Sequence, residues 1–113
     1  MSMTSDLIRG HTETIILAQL IRGESYGYKI NKAILEKTRQ QYSLKEATLY
    51  TAFRRLEDLG YIRSFWGDEQ SGARRRYYAI TESGQRQYRQ LLQEWRNVRE
   101  MIDNLVQEEK ENG

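Results

Sequence analysis

The chain has 113 residues, room for one domain with an appended element. Hydrophobic residues are 38% and charged residues 30%, which leaves few apolar side chains for a core, yet they cluster, which argues against wholesale disorder. Net charge is only +2, so a nucleic-acid contact would depend on where the basic residues sit; with no cysteine and one histidine, His11, disulfides, a Cys nucleophile and a Cys/His zinc site are excluded.

No apolar run approaches the roughly 18–20 residues that span a bilayer, and no signal-peptide pattern opens the chain. The expectation is a cytoplasmic protein without a membrane partner, one polar enough to complete its core by dimerising. Proline is absent, so helix ends are read from caps, glycines and changes of period.

Residues 6–22, DLIRGHTETIILAQLIR, bring Ile8, Ile15, Ile16, Leu20 and Ile21 close to helical spacing, with Asp6 as N-cap and Gly23 as the stop. Residues 26–39, YGYKINKAILEKTR, place Tyr26, Ile30, Ala33 and Ile34 on one face of a second helix, capped by Ser25 and extended by the stem of Lys37. In the third, SLKEATLYTAFRRLEDLG (43–60), Ser43 and Glu46 match the S-x-x-E capping box. Leu49, Ala52, Phe53, Leu56 and Leu59 form its stripe, and Gly60 ends it. Lys45, Ala47, Thr48, Thr51, Arg54 and Arg55 form a small-polar and basic outer face.

After Gly60 the period changes. YIRSFWG (61–67) and RRYYAIT (75–81) flank the polar DEQSGAR, which contains Gly72, and predict a two-stranded hairpin. Thr81 caps a long helix from Glu82 to about Gln107. Tyr88, Leu91 or Leu92, Trp95, Val98, Ile102 and Leu105 recur along it three or four apart, a heptad-like seam. EEKENG at the end is expected to fray.

Three helices, a hairpin and a long helix give a mainly α fold with a β-hairpin wing, the order of a winged helix-turn-helix. The expected division is 1–81 for DNA binding, its first helix shared with a dimer interface, and 82–113 for dimerisation. A recognition helix enters the major groove by its N-terminal residues. Lys45 can donate to guanine, Ala47, Thr48 and Thr51 permit close approach, and their methyl groups can meet thymine. Ser43 and the helix N-terminus favour a phosphate, and Tyr50 and Arg54 serve the DNA backbone or packing. Taken alone, the face is equally well a solvated polar one.

Strand alternation sends Arg75 and Arg76 to opposite faces, so Arg74, Arg75 and Arg76 cannot all grip one phosphate row. Arg74, nearest the loop, is the leading minor-groove or backbone contact, with Arg75 beside it. Arg76 pairs with a core-side acid or covers the sheet with its stem. Tyr77, Tyr78 and Ile80 read as packing residues. His11 has no partner at a catalytic spacing, and the adjacent Asp68 and Glu69 solvate a loop. No enzyme activity and no cofactor are expected.

EATLYTAFRRLEDLGYI (46–62), WGDEQSGARRRYYAITESG (66–84) and YGYKI (26–30) also resemble the PadR family of bacterial transcriptional regulators. The resemblance covers nearly the whole chain, and the TLYTxFRRLE plus G-x-RRRYYxIT combination is specific. Within the family the chain is most similar to a short branch whose studied type is a lactococcal multidrug-binding repressor. The resemblance implies a homodimeric repressor on inverted-repeat double-stranded DNA, responsive to a planar aromatic effector.

It further implies that Trp95 projects into a pore between subunits, where paired indoles stack on the ligand. Leu7, Gly10, Glu13, Thr14, Leu91, Val98 and Arg99 match the pore lining, while Tyr88, Leu92, Ile102 and Leu105 belong to the dimer seam. Spacing alone reads Trp95 as seam packing. Arg99 stands where that branch tends to carry an acid, which argues for neutral or anionic ligands, although Glu13 could restore negative charge. The rival readings are a protein–protein interaction module and a non-specific nucleic-acid binder. Salt dependence and preference for a palindrome separate them from the regulator.

Overall fold

In the computed structural model, which describes residues 3–67 and 74–107, the first apolar stripe forms two helices rather than one, α1 (Met3–Arg9) and α2 (Thr12–Leu20). The break falls at Gly10, a poor helix residue, and at His11, whose backbone is non-helical (φ −115°, ψ 21°). The Thr12 hydroxyl donates to the Arg9 carbonyl at 2.8 Å across the elbow. Asp6 therefore lies inside α1, paired with Arg9 at 2.5 Å, and caps nothing.

Ser25, expected as a cap, instead forms β1 (Ser25–Tyr26), which pairs antiparallel with Tyr78 and Tyr77 of β3 (Arg76–Ile80). β2 (Ile62–Trp66) lies on the other side of β3, giving a three-stranded sheet in the order β1-β3-β2. The expected hairpin thus gains a strand. The segment joining β2 to β3, with Asp68, Glu69 and Gly72, lies outside the described residues, as does the tail expected to fray.

α3 (Gly27–Lys37) and α4 (Glu46–Asp58) bring their stripes onto α2. Leu59, counted in the α4 stripe, is instead 47% exposed, because the helix ends at Asp58 and the chain turns through Gly60 at a left-handed φ of 80°. The core joins Ile16, Leu17 and Leu20 to Ile30, Ile34, Leu49, Phe53 and Leu56, and closes on Ile62 and Tyr78. The Tyr78 ring stacks on Phe53 at 3.9 Å. Burial pushes its phenol above the ordinary value of 10.0, and the nearby Arg76 charge pulls the other way.

The long helix α5 (Glu82–Val106) begins where the sequence put it. The Thr81 hydroxyl accepts from Gly84 N at 3.0 Å and donates to Gly60 O at 2.7 Å, while the Ser83 hydroxyl donates to the same carbonyl at 2.9 Å. Gly84 is buried against Tyr61: a Cβ there would lie 2.0 Å from the Tyr61 carbonyl oxygen and 2.8 Å from Ile80 Cγ1. Tyr88 and Leu91 still pack on the core. Beyond Leu92 every described residue of α5 is exposed.

Gly84→Ala must displace backbone, not a flexible side chain. It is expected to destabilise the fold by about 2–3 kcal/mol, the upper part of the range for overpacking. Urea unfolding monitored by circular dichroism checks this, and an unchanged midpoint would refute the close seat of α5.

Candidate functional site

The turn between α3 and α4 sets how α4 is presented. Asn31 on α3 donates to the Leu44 carbonyl and accepts from the Leu44 amide, both at 2.7 Å, holding the connector by its backbone. The Thr38 hydroxyl donates to Ile34 O at 2.8 Å and accepts from Tyr42 N at 3.0 Å. Between these anchors Arg39 and Gln40 adopt left-handed φ values of 53° and 67°, a conformation that costs non-glycine residues about 1–2 kcal/mol each. Nothing in the sequence pattern had singled out Asn31.

α4 opens at Glu46 with Lys45 in the N-cap position and no side-chain cap bond, so Ser43 and Glu46 do not form the expected box. The clamp on Leu44 holds this entry by backbone instead. Ser43, Lys45, Ala47, Thr51, Arg54 and Arg55 are exposed and Thr48 is half-buried, so these positions form one open face. Tyr50 divides its roles. It is 43% exposed, meets Phe53 edge-on at 5.6 Å, and a Cβ on Gly27 would lie 2.8 Å from its hydroxyl.

On the wing, Arg76 donates to the Ser64 hydroxyl at 2.7 Å, which donates to Glu57 of α4 at 2.5 Å. Arg76 is thus held beside a core-side acid. Arg74 and Arg76 lie over Trp66, whereas Arg75 lies over Tyr26 with its Cζ 4.6 Å from the ring centroid. Of the two wing arginines singled out in the sequence, Arg74 shares the Trp66 side with Arg76, and Arg75 does not.

The residues matched to a pore lining divide between two grooves on either side of α2. Leu7, Thr14, Trp95, Val98 and Arg99 line one of about 630 Å³ between α1, α2 and α5, together with Tyr88, Leu92, Ile102 and Asp103. Gly10, Glu13 and Leu91 line the other, of about 560 Å³, beside Thr48, Thr51 and Arg55 of α4. Thr14 touches both. Glu13 pairs with Arg55 at 2.5 Å, so its charge is directed at α4 and away from Arg99. Leu105, placed in the seam, is 82% exposed beyond the groove.

His11, set aside by sequence reasoning, meets Trp95 edge-on, with ring centroids 5.2 Å apart. A signal was available: His11, Thr14, Ile15 and Ala18 recur at helical spacing and all line the Trp95 groove. Among the described residues no group of His, Cys, Asp or Glu could hold a metal ion, and no helix is long and apolar enough to cross a membrane.

The family model for PadR-like transcriptional regulators matches residues 16–90. A transcriptional regulator from Clostridium thermocellum is similar in structure at 50% identity, with a TM-score of 0.83 over 91% of this chain and 100% of that one. A PadR family transcription regulator from Clostridium difficile matches at 33% identity and a TM-score of 0.72, covering 85% and 98%. A Lysinibacillus sphaericus protein, itself uncharacterised, is 42% identical over 91% of this chain and 94% of its own length.

The Glu13–Arg55 pair is well exposed on the arginine side, 65% against 30%. Glu13→Gln is therefore expected to change stability by less than about 1 kcal/mol, read from denaturant unfolding at low and high salt. A larger loss would mean that the pair anchors α4. Asn31→Ala, by contrast, strands a partly buried backbone amide and carbonyl and is expected to cost about 1–3 kcal/mol.

Proposed function

The chain belongs to the PadR-like family of transcriptional regulators, and we propose that it acts as a homodimeric, effector-responsive repressor on an inverted-repeat operator. The observation that carries this reading is the outer half of α5. Trp95, Val98, Ile102 and Leu105 are 38%, 40%, 50% and 82% exposed, an apolar seam uncovered within one chain. A second copy pairing along this seam, and against α1 and α2, buries it. In this reading residues 1–81 bind DNA and 82–113 dimerise.

A two-fold axis near residue 95 brings two indoles together. A flat aromatic molecule between them gains stacking worth about 0.5–1.5 kcal/mol per ring pair. This is the arrangement implied by similarity to the multidrug-binding branch. Arg99 and Asp103 both line this groove and Glu13 is engaged elsewhere, which favours a neutral effector over a charged one. An occupied pore changes the angle between the α5 helices and hence the separation of the two α4 helices. That separation must be about 34 Å to meet successive major grooves.

On DNA, Lys45, Ala47, Thr48 and Thr51 face base edges, while Ser43, Tyr50, Arg54 and the wing arginines serve the backbone. Removing Lys45 or Thr48 is expected to relax sequence preference, by roughly 1–3 kcal/mol per lost base contact. Arg74→Ala is expected to weaken operator and random duplex alike and to flatten the salt slope by about one. Unchanged affinity and slope would remove Arg74 from the interface.

Sedimentation over roughly a hundredfold dilution into the micromolar range is expected to show a dimer, with protomer concentration governing stability. A monomer throughout would end the dimer reading. Planar dyes are expected to quench Trp95 more than Trp66 and to shift operator affinity. Equal dye affinity in wild type and Trp95→Ala, with quenching lost only in Trp66→Phe, would leave Trp95 as seam packing.

A further inference from the structure

The wing carries an exposed indole whose surroundings point to a use. Trp66 closes β2, is 51% exposed, and stands opposite Arg76 in the β2–β3 ladder. The Cζ atoms of Arg74 and Arg76 each lie 5.3 Å from its ring centroid. Alternation along β3 puts positions 76 and 78 on one face, and Arg74, just ahead of the strand, reaches the same Trp66 ring. Tyr78 of that set stacks on Phe53 of α4, and Ser64 on β2 reaches Glu57 of α4. The Trp66 face is therefore the one turned toward the recognition helix.

Ordering a long side chain on binding costs entropy, and a side chain already held in place avoids part of that cost. Tryptophan has the ring face most attractive to a cation, and the attraction does not consume the guanidinium N–H donors. Arg76 also donates to Ser64, with Glu57 Oε1 4.0 Å from the same nitrogen, so a hydroxyl and an acid on one side and the indole on the other fix its guanidinium.

We propose that Trp66 is a positioning residue for nucleic-acid backbone binding: its indole preorganises Arg74 and Arg76 as a two-cation clamp on the phosphodiester chain flanking the α4 contact. The inference rests on the DNA-binding role of the family and adds a residue that acts only through its neighbours. Arg75, over Tyr26 on the other side of the sheet, stands outside the clamp.

The test is the affinity of the full chain for a labelled random-sequence duplex across a salt series. Trp66→Leu is expected to weaken binding roughly 3- to 10-fold at every salt concentration, the loss of two exposed cation–π contacts, while the slope stays unchanged because both charges remain. Trp66→Tyr and Trp66→Phe are expected to recover part of the affinity. Arg74→Ala combined with Arg76→Ala should flatten the slope by about two, and Trp66→Leu added to that pair should do nothing more.

Wild-type affinity in Trp66→Leu, or an equal loss when both arginines are already gone, overturns the proposal and leaves the DNA-binding reading intact. Failure of the wild-type chain to bind any duplex at low salt overturns both. Should Trp66→Leu unfold the wing, the tyrosine and phenylalanine variants decide: weakened binding at constant slope supports the clamp, and wild-type affinity in both overturns it.

Discussion

The position of α5 depends on one close approach, that of Gly84 to the carbonyl of Tyr61. Only a residue without a Cβ allows the first turn of the long helix to sit on the backbone between α4 and β2. Thr81 and Ser83 then fasten that turn to Gly60. The end of α4, the start of β2 and the start of α5 are thereby joined at a single spot. The Phe53–Tyr78 stack ties α4 to the sheet a short distance away. These contacts join α4, the sheet and the first turn of α5 into one packed unit.

The front of α4 is fixed differently, by polar groups and by strain. Two consecutive left-handed residues, Arg39 and Gln40, are unfavourable on their own. They are held by Thr38 on one side and by the Asn31 clamp on Leu44 on the other. This connector places Lys45 in an extended conformation at the mouth of the helix with its side chain exposed. A capping box at Ser43 would have required the helix to start two residues earlier. Lys45 would then lie inside the first turn.

Much of this was legible in the sequence where the signal is periodic and local. The α4 stripe, the paired strands and the Thr81 cap depend on side-chain alternation or on one hydroxyl. What escaped depends on tertiary partners. A helix continuous from residue 6 to 22 was a fair reading of the spacing, yet the chain breaks at Gly10 and His11 and forms α1 and α2 as separate helices. Ser25 reads as a cap until β3 supplies a strand to pair with it. Asn31 is an ordinary polar residue on a helix until the connector folds back over it. The lining of the candidate groove was half legible, because the resemblance grouped positions by element and not by helix face.

That last point carries a physical lesson about α2. Its two sides differ: Glu13 turns toward Arg55 of α4, while His11 at its start meets Trp95 and Thr14 borders both grooves. The helix is therefore the shared wall between a largely apolar groove and the groove that borders α4. The groove is lined by Arg99 and Asp103, with the His11 imidazole against the indole, and Glu13 points away from it. Pairing Glu13 with Arg55 leaves Arg54 as the α4 arginine with no ion pair to Glu13. The ionic groups of the two surfaces are thus separate: Glu13 and Arg55 pair on the α4 side of α2, while Arg99 and Asp103 line the groove on its other side.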